Sequence, residues 1–204
     1  MNNMHETITL RDLLEKSNRN GFAVIQPHNT RSFTVTIPKA VETAAAQGLL
    51  DDRDKLLAWF GLNKDNIVSS YELSVNSQDI TNGRLKNTKH FLKTCRAWWN
   101  EAQIEFCGIM YLQPHERAEY STDDWWHLID ILQKHGISYG FVAIGEISSD
   151  GSSVETVKYY FQDFMGTIYT TSLSDDQNAE HKIFYYNRVL TEKIKERAFS
   201  LVDY

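Results

Sequence analysis

Cysteine is scarce in this chain: Cys95 and Cys107 are the only two in 204 residues. That excludes the disulfide framework on which small secreted domains depend. Three prolines and no repeat or low-complexity tract leave no room for a proline-rich linker or a solenoid. No apolar run approaches the roughly 18 residues that span a bilayer. Residues 1–16 (MNNMHETITLRDLLEK) have neither the basic nor the apolar segment of a secretory signal, so a cytoplasmic protein without membrane attachment is expected. P-loop, G-x-S-x-G and G-x-G-x-x-G motifs are also missing, and the commonest phosphate, acyl-transfer and dinucleotide chemistries have no anchor. No cofactor is expected.

What is present is core material and uneven charge. Hydrophobic residues make up 42% of the chain, enough to bury a sizeable core. The net charge is −6, yet residues 1–100 hold thirteen Lys and Arg against ten Asp and Glu, whereas residues 101–204 hold eight against seventeen. Whole-surface coating of nucleic acid is therefore disfavoured, and the asymmetry points to two surfaces with different partners.

Residues 121–164 give the clearest local reading. Ser121 caps a helix with Asp124 three residues on, Trp125, Leu128, Ile129 and Leu132 supply its apolar face, and Gly136 closes it. Two strands follow around the turn at residues 148–152. Upstream, the pattern predicts a helix over 9–18, strands over 22–25 and 32–37, helices over 38–47 and 51–60, and a strand over 67–75. The polar stretch 77–83 separates an expected subdomain of residues 1–76 from an α+β core of 84–204, unless the two form one domain. A helix over 84–102, with Leu85, Leu92, Cys95, Trp99 and Ala102 inward and Phe91 and Trp98 flanking them, and a strand over 104–112 come next. A hairpin around Gly166 and a C-terminal helix opened by Ser174 complete the chain. The fold class is α+β, with an antiparallel or mixed sheet and helices mainly on one face. A ferredoxin-like order is the nearest template for residues 104–200.

The opposite side of the 84–102 helix carries Lys86, Lys89, Lys93 and Arg96, and no acid occurs from Ile80 to Asn100. Four like charges without intrahelical partners repel one another, and a carboxylate- or phosphate-bearing partner relieves that. The same residues on a solvated surface helix, paired with acids from elsewhere, are the plainer reading. His90, Cys95, Cys107 and His115 lack the close ligand pair of compact zinc sites, so no metal is expected. Among the acids, Asp123 and Asp124 suit a helix first turn and Asp150 suits a turn. Glu146 stands apart, an acid in a strand beside Val142, Ile144 and Ile147, and is the candidate functional acid.

Two H-x-T triplets, His5-Glu6-Thr7 and His28-Asn29-Thr30, resemble the motif of the two-histidine phosphoesterases, which place such triplets on central strands of duplicated lobes; here they lie 23 residues apart. The segment YGFVAIGEISSDG (139–151) resembles the second motif region of rolling-circle replication initiators, but Val154-Glu155-Thr156-Val157 stands where their metal-binding histidine pair would be, so nickase activity is not implied. Tyr159, Tyr160 and Phe161 would suit base stacking if their sheet faces were open. The expectation is a non-catalytic binding protein, an adaptor or inhibitor of the kind mobile elements also carry, with a protein partner. The alternatives are a nucleic-acid-binding module and an enzyme whose acid–base site carries no motif.

Overall fold

The computed structural model describes residues 8–9, 32–52, 54–75, 80–81, 84–85, 89–114, 117–137, 139–171 and 180–200. The expected helix at 9–18, the strand at 22–25, both H-x-T triplets, Ser174, His115 and Lys86 lie wholly or mainly outside these residues. Strands β1 (Ile8–Thr9) and β2 (Ser32–Thr36) pair in parallel and lead into helix α1 (Lys39–Asp51). Pro38 enters α1, which runs through Gly48 where an end was expected; a Cβ there would sit 2.6 Å from Leu73 Cδ1, so glycine serves close packing and not a stop.

Residues 51–60 form no second helix. Strand β3 (Lys55–Leu62) occupies them instead, antiparallel to β4 (Val68–Val75). The run Leu57–Leu62 is buried throughout, and a strand apolar on both faces has no periodicity to distinguish it from a helix. A short ribbon of β5 (Ile80–Thr81) and β6 (Arg84–Leu85) precedes α2 (Lys89–Ala102), which starts later than the expected position 84. Strand β7 (Glu105–Pro114) then crosses through α3 (Thr122–His135) to β8 (Tyr139–Ile147), its parallel neighbour. The capping box of Ser121 and Asp124 opens α3, and Gly136 closes it at φ 64°. Strands β9 (Val154–Asp163), β10 (Ile168–Thr171) and β11 (His181–Tyr186) continue as an antiparallel meander. Helix α4 (Arg188–Ser200) closes the described chain; the strand β11 takes the place of the expected helix start.

Among the described residues one nine-stranded mixed sheet runs β1-β2-β11-β10-β9-β8-β7-β3-β4. It curls so that Thr36 at the end of β2 bridges Ile67 just before β4, with Thr36 N–H donating to Asn66 C=O at 3.2 Å. Residues before 77 and after 83 share this sheet. The class is α+β as expected. Within it, β7 and β8 lie side by side, whereas a ferredoxin-like sheet inserts a strand between the pair its helix joins. Helix α1 packs on one face over Val35, Phe60, Phe141, Phe161 and Phe184. Helices α2, α3 and α4 cover the other over Trp59, Ile109, Val142, Ile144 and Ile168, so three of the four described helices share a face. No helix among the described residues is long and apolar enough to cross a membrane.

Candidate functional site

Helix α2 is anchored by Phe91, 1% exposed, which sets its ring edge-on to Trp59 at 5.5 Å, Phe106 at 5.5 Å and His135 at 5.3 Å. Trp98, two turns on, fills the notch left by Gly61, where a Cβ would come 2.9 Å from Trp98 Cε3. Cys95 completes this inward seam. The helix is therefore turned toward its Phe91 and Trp98 flank from the orientation the sequence suggested, by less than the roughly 100° of one residue, since Cys95 is inward in both. With Phe91, Cys95 and Trp98 inward, Leu92, Trp99 and Ala102 fall on the exposed side of the helix.

The turn leaves Lys89, Lys93 and Arg96 exposed on one line, but with apolar neighbours that the sequence pattern places in the core. Leu92 is 38% and Trp99 48% exposed, and both fall beside Arg96 on the helix. Among the described residues no carboxylate forms an ion pair with Lys89, Lys93 or Arg96; His90 on the same helix stands 3.9 Å from Glu72. Below Trp99 a groove of about 260 Å³ opens between α2 and the turn from α3 to β8. Phe91, Cys95, Phe106, His135 and Ile137 line it. Burial pushes the Cys95 thiol up to about 12 and lowers His135 from its usual value, so the groove offers a neutral thiol and a neutral imidazole.

Glu146 lies elsewhere, at the carboxyl end of β8 under α3, and is 3% exposed. Its strand places it between Gln113 of β7 and Thr156 of β9 in register. Thr156 Oγ1 donates to one carboxylate oxygen, and Lys158 Nζ lies 2.5 Å from the other. Lys158 also donates to Ala118 C=O at 3.3 Å, and its hydrogen bond to Glu146 raises its pKa. Tyr111 donates to Asp124 at 2.6 Å, and Tyr120 stacks on Tyr160 at 4.8 Å. Burial raises the phenols of Tyr111, Tyr120 and Tyr160, the negative carboxylate of Asp124 adding to the first two. Phenols held protonated and a lysine held charged fix the geometry around Glu146.

The two cysteines occupy opposite faces of the sheet. Cys107 packs in the α1 core with its thiol 3.5 Å from Phe60 C=O, while Cys95 faces the other core, so they cannot share a ligand. Among the described residues no three His, Cys, Asp or Glu side chains gather as a metal site would require. Tyr159 and Phe161 are buried at 4% and 0%, so that sheet face is closed to base stacking. No protein-family profile and no curated protein matches the chain.

Besides Glu146 and Asp163, a further buried acid escaped sequence reasoning. Glu42 of α1, 4% exposed, accepts from Tyr159 O–H at 2.9 Å and pairs with Lys39, while Lys182 Nζ lies 5.2 Å above the Tyr159 ring. Its position in the helical stripe with Ala45, Ala46 and Leu49 is the signal that marks it.

Proposed function

We propose that the protein is a non-catalytic intracellular binding protein, an adaptor or inhibitor, that docks an acidic protein partner through the outward face of α2. The observation that carries this reading is the side-by-side exposure of Lys89, Lys93 and Arg96 with Leu92 and Trp99. Tryptophan and arginine are the residues most enriched at interface hot spots, and here they stand side by side and exposed. The experiment is affinity capture with the wild-type chain, with Lys93→Glu/Arg96→Glu, and with a control reversal on α4, Lys193→Glu/Arg197→Glu. A partner held by wild type and control but lost by the α2 reversal supports the reading. Equal retention by both reversals contradicts it, and loss on nuclease treatment would assign the face to nucleic acid.

A further inference from the structure

The groove beside α2 sets the kind of segment this face accepts, an inference that rests on the docking reading above. Trp99 stands at once on the groove's rim and beside Arg96, so the groove and the cationic line share an edge. The slot is about 260 Å³, the size for one large side chain and not for a globular surface. Phe91, Cys95, Ile104, Phe106 and Ile137 give it apolar and uncharged walls, with His135 beside them. Glu105 is the one acid among the described lining residues, and it repels an acidic group placed inside the slot. Carboxylates of a bound segment therefore belong outside, over Lys89, Lys93 and Arg96.

We infer that α2 recognises a short acidic segment of a partner protein that inserts one large apolar side chain, an aromatic, Leu or Met, between Trp99 and Ile137 while its flanking Asp or Glu residues lie along Lys89, Lys93 and Arg96. Charge complementarity chooses an acidic partner, and the single-residue slot chooses an anchor over a flat apolar surface. Trp99 supplies a wall to the slot and shields the neighbouring ion pairs from water, as rim residues around a hot spot do.

The test selects a display library of random dodecapeptides on the full chain at low ionic strength. Chosen peptides are then titrated against wild type, Trp99→Ala and Lys93→Glu/Arg96→Glu, with circular dichroism to confirm that each variant is folded. The expected peptides combine one aromatic, Leu or Met with adjacent acids. Replacing that anchor by Ala, and Trp99→Ala in the protein, should each weaken binding at least about tenfold. Acidic peptides with no anchor, indifferent to Trp99→Ala but lost on charge reversal, would overturn the anchored slot and leave the basic-face reading standing. Peptides indifferent to charge reversal would overturn both. A selection that enriches nothing would overturn the slot, because a surface built for a short anchored segment must hold one in isolation.

Discussion

Glu146 and Lys158 make an asymmetric pair: the carboxylate is 4% exposed and the ammonium side chain 43%. Removing the cation strands a buried charge, whereas removing the acid returns a lysine to water. Lys158→Met should therefore destabilise the protein by about 1–3 kcal/mol, with Glu146→Gln costing less, in urea unfolding monitored by tryptophan fluorescence. Equal losses would show that the pair is exposed in solution. His135 makes a pH-dependent statement. Burial, helped by the neighbouring Lys134, lowers its folded pKa below the usual 6.5. The unfolded chain then takes up the proton first, so this contribution to stability is full above about pH 6.5, falls as pH drops through that value, and levels off below the folded pKa. Thermal melts across about pH 5–8 should differ by a constant amount at the high end, where both states of His135 are neutral, and wild type should lose more stability than His135→Gln as pH falls.

At the scale of elements, α3 and the β9–β10 corner are locked together by Trp125, whose Nε1–H donates to Gly166 C=O at 2.9 Å. Gly166 has φ 79°, and a Cβ there would lie 2.3 Å from the Trp125 ring. Gly166→Ala should cost at least about 1–3 kcal/mol and shift the near-ultraviolet tryptophan signal; Ser121→Ala, which removes only the α3 cap, should cost about 1 kcal/mol by the same unfolding measurement. These elements were legible because their determinants are local: a serine cap, an aspartate three residues on, a closing glycine. Strand β3 was not, because a run buried on both faces has no period, and its neighbour β7 comes from distant sequence. Helix α2 shows the intermediate case. Its amphipathicity located Lys89, Lys93 and Arg96, but the rotation that buries Phe91 and exposes Trp99 depends on Trp59, Gly61 and Phe106, which belong to other strands. Glu146 was found as an acid among apolar neighbours; its partner Lys158 follows only from the β8–β9 register.

Across the whole molecule, one curled sheet carries two cores, with α1 on one face and α2, α3 and α4 on the other. The chain's acidity and the basic line on α2 put opposite charge on one small protein, an arrangement that favours oriented association over non-specific coating. Because Lys93 and Arg96 are exposed, reversing both should change stability by no more than about half a kcal/mol at each. Binding is where the reversal must act. The most direct measurement is titration of the captured partner against wild type, the α2 reversal and the α4 control over a series of salt concentrations. The account predicts a sharp loss for the α2 reversal alone, largest at low salt, with a wild-type salt slope shallower than the roughly −2.7 that three phosphate contacts would give. Wild-type affinity retained by the α2 reversal at low ionic strength would contradict it.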